Sequence, residues 1–150
     1  TGQIVVNTFV NQLRHRFGED VHPLHRLDQE TSGLLLCARN GEVNRLYQSR
    51  RDELLGGKFY LALVKGSFPE GELLCEQPLA TLPESLVRCR MWPVADGKPC
   101  QTRFRKVAET DGLSLVLAEL LTGRRHQIRA HLAGLGTPLL GDKIYDHDRS

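Results

Sequence analysis

The chain has 150 residues, of which 40% are apolar and 25% charged, with a formal net charge of +2. That length favours one domain around a single packed core, and the near-balanced charge does not by itself announce a nucleic-acid partner. No apolar run reaches membrane-spanning length, and Cys37, Cys75, Cys89 and Cys100 form no CxxC pair, which sets aside zinc-knuckle and thioredoxin-type chemistry.

In chain order, Val6, Phe9, Val10, Leu13 and Phe17 recur at helical spacing and predict a helix over 7–17, capped by Asn7 and ended by Gly18. Residues 19–32 are polar, contain Pro23 and read as a loop with a short extended piece. Gly33–Ala38 is a continuous apolar run of strand length, expected as a fully buried strand with Cys37 as a small buried hydrophobe. Val43, Leu46, Tyr47 and Leu54 mark a second helix over 41–54, stopped by Gly56 and Gly57. KFYLALVK (58–65) predicts a strand with Phe59, Leu61 and Leu63 on one face and Tyr60, Ala62 and Val64 on the other.

Pro69, Gly71, Pro78 and Pro83 make 66–85 a region of turns with room for one short strand at 72–76. Residues 86–91 alternate weakly, and Asp96-Gly97-Lys98-Pro99 is a turn signal. Gln101–Val107 and Leu113–Leu121 alternate as two strands joined by a hairpin turn at Thr110-Asp111-Gly112. A last helix is expected over 124–135, capped by Thr122 and ended by Gly134 and Gly136, with Ile128, Leu132 and Leu135 as its buried stripe. This pattern of elements is α+β with a mostly antiparallel sheet.

Two segments are odd for structure alone. HRLDQETSG (25–33) sets Arg26 and Asp28 in a loop that runs straight into the most apolar stretch of the chain. On its residues alone it reads first as polar surface, with Asp and Thr making local turn bonds, and second as a site. TGRRHQIRAHL (122–132) is expected to put Arg124 and Arg125 in the first turn of a helix, with Arg125 and Arg129 on one face. Cations there oppose the helix dipole, by a few tenths up to about 1 kcal/mol, unless a phosphate or carboxylate sits at that helix start. The ordinary alternative is a solvated basic face.

HRLDQETSGLLL (25–36) resembles the signature of the RluA-type pseudouridine synthases, His-Arg-Leu-Asp followed by Thr-Ser-Gly-Leu. KFYLALVKG (58–66), GKPCQTRF (97–104) and LLTGRRHQIRAHLAGLGTPLLGDKIY (120–145) resemble further motifs of that family in the same order, with Cys100 in place of a usual Ala and Arg125 in place of a common Thr or Ser. The resemblance implies the pseudouridine synthase catalytic fold, an α+β domain with a mixed, mostly antiparallel sheet flanked by helices. It implies one catalytic domain over 1–150 that lacks part of the family's core at both ends.

The same resemblance implies that Asp28 is the catalytic aspartate and that Tyr60 stacks on the target base. Arg129 would pair with the aspartate, and Arg26 would fill the gap left by a flipped uridine. Arg124 and Arg125 are candidates for phosphate contacts. The expected partner is RNA, ribosomal or transfer. No metal, cofactor or membrane is called for, and the protein is expected as a monomer in the cytoplasm. The isomerisation loses no atom, which fits a chain without a metal motif or a phosphate-cradling Gly loop.

Two rival readings stay open. One is a catalytically inactive RNA-binding domain of the same fold. The other is a metal-dependent hydrolase using His22, His25 and Asp28, or His126 and His131; the latter pair is five apart, so on a helix they diverge by about 140°.

Overall fold

The computed structural model describes residues 8–50, 53, 57–81 and 90–146. The chain divides into two compact units, 1–56 and 57–150.

In the first unit, helix α1 spans Phe9–Phe17. Its N-cap is Thr8, whose side chain accepts the Asn11 N–H; the expected cap, Asn7, lies outside the described residues. Gly18 ends the helix at φ 98°, a left-handed conformation that favours glycine, with its N–H on the Arg14 carbonyl. Strands β1 (His22–Pro23) and β2 (Cys37–Ala38) pair antiparallel, and the Leu24 N–H donates to the Leu36 carbonyl beyond them. Helix α2 spans Gly41–Ser49. Asn40 caps it by accepting from the Val43 N–H at 2.9 Å, while Asp20 accepts from the Gly41 N–H at 3.0 Å. Leu24, Ala38 and Tyr47 form this unit's small buried cluster.

The apolar run at 33–38 departs from expectation. Only Cys37 and Ala38 enter a ladder, Cys37 is half-buried, and Leu34 is 93% exposed. The partner segment supplies pairing groups only through Leu24 before it turns into the polar loop. Among the described residues, no strand pairs with the run upstream of Leu36, and apolar sequence does not bury itself without a covering layer. The second helix is described as far as Ser49; Leu54 and Gly56 lie outside the described residues.

The second unit begins with β3 (Lys58–Lys65), then β4 (Glu72–Cys75), β5 (Leu79–Thr81) and β6 (Met91–Pro93). Strands β7 (Thr102–Thr110) and β8 (Leu113–Leu120) follow, and helix α3 (Gln127–Gly134) closes the order. The main sheet runs β3-β8-β7-β4, antiparallel throughout, and β5 pairs with β6 separately. The two faces predicted for β3 hold: Ala62 and Val64 are buried, whereas Phe59, Leu61 and Leu63 are exposed. Asp111 and Gly112 both have positive φ, the signature of the two-residue hairpin turn that matches strand twist. The ladder slips between Lys106 and Ala108. That bulge leaves Val107 exposed and breaks the alternation, so β7 runs to Thr110, beyond the strand end expected at Val107.

The core is the inner sheet face, with Phe68 packed edge-on against Phe104 at 5.9 Å and Leu132 of α3 laid across it. A neighbouring cluster gathers Leu79, Cys100, Ala130 and Tyr145. The turn signalled by Asp96-Gly97-Lys98-Pro99 forms two residues earlier, at 94–97, closed by the Gly97 N–H on the Val94 carbonyl. A Cβ at Gly97 would sit 2.8 Å from the backbone of Leu79, so only glycine permits that approach. Of the weakly alternating segment at 86–91, residues 86–89 lie outside the described residues and Met91 opens β6.

Helix α3 starts later than its sequence pattern predicts. His126, at φ 51°, stands in the left-handed region and holds the N-cap position, so Arg124 and Arg125 precede the helix, are exposed and are not in its first turn. The expected cap Thr122 instead accepts the Gln101 N–H and donates to Gln127 Oε1, which also accepts the Arg124 N–H at 2.9 Å. Gln127 Nε2 donates to the Gln101 carbonyl and to Thr102 Oγ1. One buried amide thus ties the 122–126 turn to the start of β7, and those local bonds outcompete a further helical turn. The C-terminal end falls where expected, with Gly136 at φ 81°.

Candidate active site

The loop after β1 carries Arg26 and Asp28. It is closed at its base by Leu24 on Leu36 and by the Leu36 N–H, which donates to His25 Nε2 at 3.1 Å. His25 accepts there and serves to pin the loop. Within the loop, the Asp28 carbonyl accepts the Thr31 N–H at 3.0 Å, forming a tight turn, and Gly33 takes φ 134°. The Arg26 side chain is exposed and Asp28 is half-buried. Both therefore stand on a short excursion clamped at its base.

In the second unit, Tyr60 lies on the inner face of β3, half-buried against the main core. Arg129 lies on α3 and makes a two-pronged ion pair with Asp142, Nε to Oδ2 at 2.7 Å and Nη2 to Oδ1 at 2.8 Å. The guanidinium also stands over the Tyr145 ring at 5.1 Å. Asp142 Oδ1 accepts the backbone N–H groups of Ile144 and Tyr145 as well. Burial pushes the Asp142 carboxyl up, but the Arg129 hydrogen bonds and these backbone donors outweigh it and hold the group below its ordinary 3.8. The Tyr145 hydroxyl takes the Met91 N–H at 2.8 Å and meets His126 Nδ1 at 3.2 Å; burial pushes its pKa up to about 12, so it stays a phenol.

His131, fully buried, lies between Thr102 Oγ1 on Nδ1 and the Gln77 carbonyl on Nε2, both at 2.9 Å. Burial lowers its pKa below 6.5, so it is neutral and donates through Nε2 to that carbonyl. An imidazole buried neutral must take up a proton when the chain unfolds in acid. Its contribution to stability is full above 6.5 and is lost as pH falls below that value towards its folded pKa. The melting temperature is therefore expected to drop as pH falls below 6.5, and the drop should flatten in His131→Gln. An unchanged slope in that variant would assign the acid sensitivity elsewhere.

The predicted site residues thus fall in two groups. Arg26 and Asp28 share one loop of the first unit; Tyr60 and Arg129 belong to the second, where Arg129 is held by Asp142. Arg124 and Arg125 sit on the exposed turn before α3, where the Arg124 Nε donates to the Pro99 carbonyl. Among the described residues, no three His, Cys, Asp or Glu side chains gather as a metal site. His126 and His131 go to separate hydrogen-bonded partners. Sequence reasoning passed over Asp142 and Tyr145 as working residues. Their signal was the Gly-Asp-x-x-Tyr spacing after the glycine-ended helix, but nothing in that spacing says which cation the carboxylate meets.

An α+β domain with a mostly antiparallel sheet is a fold this chain shares with solved structures. Residues 7–134 match the RNA pseudouridylate synthase family, and the chain belongs to it, as the RluA-type motifs implied. It is 42% identical over 139 residues to the human pseudouridylate synthase RPUSD2, a match covering 92% of this chain and 25% of that protein. It is 37% identical over 153 residues to the mitochondrial tRNA pseudouridine(32) synthase of Saccharomyces cerevisiae, covering 99% of this chain and 32% of the relative. Among solved structures, human RNA pseudouridylate synthase domain containing 1 superposes with a TM-score of 0.78 at 30% identity, over 95% of this chain and 61% of that one. The chain thus spans a quarter to a third of the length of these two sequence relatives.

Proposed function

We propose that this protein isomerises uridine to pseudouridine in RNA, with Asp28 as the reacting carboxylate. The observation that carries the reading is the family match over 7–134, which includes the His-Arg-Leu-Asp loop intact. The reaction breaks the bond from uracil N1 to ribose C1′, turns the base and rejoins it through C5. A carboxylate near C1′ serves either by attacking that carbon or by removing a sugar proton to give a glycal. Both routes need the carboxylate ionised where water is excluded, a state that burial opposes and a nearby arginine restores. Arg129 is the arginine assigned to that task.

The target base is flipped out of its stack at a cost of a few kcal/mol, and stacking on Tyr60 returns about 1–3 kcal/mol. Arg26, exposed on the same loop as Asp28, suits the vacated place in the RNA. The test is tritium release from RNA labelled at uracil C5, with transfer RNA tried first because of the yeast relative's name and ribosomal RNA second. No release from either would end the reading and leave an RNA-binding domain without chemistry.

Arg124 and Arg125 are assigned to phosphate contacts, on the strength of their exposed turn. Replacing both by Ala should weaken binding to all RNAs alike and flatten the salt dependence by about two phosphate contacts' worth. An unchanged slope of affinity against salt would remove them from the interface. The reading places the protein in the cytoplasm as a monomer, which cell fractionation and size-exclusion chromatography test; recovery with mitochondria would move the compartment.

A further inference from the structure

We propose that Asp142 is a positioning residue for this reaction, fixing Arg129 so that only one edge of its guanidinium can serve the reacting groups; the idea rests on the synthase reading. A guanidinium offers two hydrogen-bonding edges, one formed by Nε and Nη2 and the other by the two Nη nitrogens. Asp142 occupies the first edge through both of its oxygens. Tyr145 backs one face of the same group at 5.1 Å. An anion that takes two parallel N–H groups of Arg129 beside Asp142 meets it at the Nη1/Nη2 edge.

The mount is rigid for reasons that can be named. The Asp142 side chain is 4% exposed and its Oδ1 is locked by the Ile144 and Tyr145 N–H groups. The Tyr145 ring is buried, with its hydroxyl on the Met91 N–H. Charge matters beside geometry. The paired carboxylate offsets much of the guanidinium's positive field, so Arg129 works chiefly as an aimed donor. Catalytic groups held this way lose rate steeply when misplaced, by about 100-fold for a shift near 1 Å.

A matched control is built into the same segment. Asp146 is also buried, accepts the Gly141 N–H at 3.1 Å and pairs with Lys65 Nζ at 2.9 Å. It anchors residues 141–146 through Gly141 and Lys65, while Asp142 anchors them through Ile144, Tyr145 and Arg129. The experiment compares Asp142→Asn with Asp146→Asn in the full protein. Two quantities are read for each: the exchange and line shape of the Arg129 Nε–H by ¹⁵N NMR, and the single-turnover rate of tritium release at saturating RNA.

In Asp142→Asn the Nε–H signal is expected to broaden and the rate to fall about 100-fold, with RNA affinity within about threefold. In Asp146→Asn both signal and rate should stay near those of the parent, even where the melting temperature falls equally. The proposal is overturned if Asp142→Asn keeps its rate within about threefold, or if the two variants lose rate in step with stability. It is overturned equally if the Arg129 signal is unmoved in Asp142→Asn. Parent protein that releases no tritium while its Arg129 signal is sharp overturns the synthase reading instead, and that outcome is told apart by the NMR arm.

Discussion

Asp28→Asn is expected to lower the single-turnover rate of tritium release by at least about 10³-fold, towards the upper end of what one acid–base or nucleophilic group contributes. The substitution preserves the size of the side chain and exchanges an ionised oxygen for an amide. An amide neither attacks C1′ nor removes a sugar proton, so both routes to the rearrangement close together. The loop itself should survive, because the substitution keeps its closing bonds from the Thr31 N–H to the Asp28 carbonyl, from the Leu24 N–H to the Leu36 carbonyl and from the Leu36 N–H to His25. RNA binding should accordingly stay within a few-fold. Retention of the rate within tenfold of the parent would remove residue 28 from the chemistry while leaving the family membership intact.

Arg129→Leu should have the largest combined effect on stability and activity. It removes the cation from a carboxylate that is almost wholly buried, and leaving one member of a buried pair without its partner typically costs about 3–5 kcal/mol. The pH dependence gives the mechanism away. In the parent protein Asp142 is held below 3.8, so its pairing adds stability that is present above that value and lost as pH falls through the folded pKa. Without Arg129 the burial that already pushes Asp142 up acts with less opposition, and the carboxyl titrates higher. The deficit of the variant relative to the parent should therefore be greatest near neutral pH and shrink as the pH is lowered. The rate of tritium release should fall to a small fraction of the parent's, with modest change in RNA affinity. A stability difference that is flat from pH 7 to 4 would deny the buried pair its weight, and full turnover would deny Arg129 its role.

Most strands and the last helix's end were legible because their signals are local. β3 alternates cleanly, the Asp111-Gly112 turn has the residues its positive φ values favour, and Gly134 and Gly136 stop α3 where they stand in the chain. The misreadings share a cause. The 33–38 run was apolar, but burial depends on a covering layer that lies elsewhere in sequence. Arg124 and Arg125 fit a helix by spacing, yet the Gln127 side chain offered the backbone before α3 a different set of bonds. The bulge at Val107 hid three further residues of β7 because it breaks the period on which strand recognition relies.

By itself the sequence determined the family, the α+β class and the candidate carboxylate, because a motif of defined residues in order is a one-dimensional object. The His-Arg-Leu-Asp loop and the Thr-Gly-Arg turn need no coordinates to be read. Only the tertiary structure decided what holds Arg129. Asp142 is thirteen residues on, beyond a glycine-ended helix and a proline, and a carboxylate's choice of cation is set by distance and burial, which chain order does not encode. The same holds for the neutral state of His131, imposed by partners from β7 and from Gln77 that meet only when the sheet and α3 pack together.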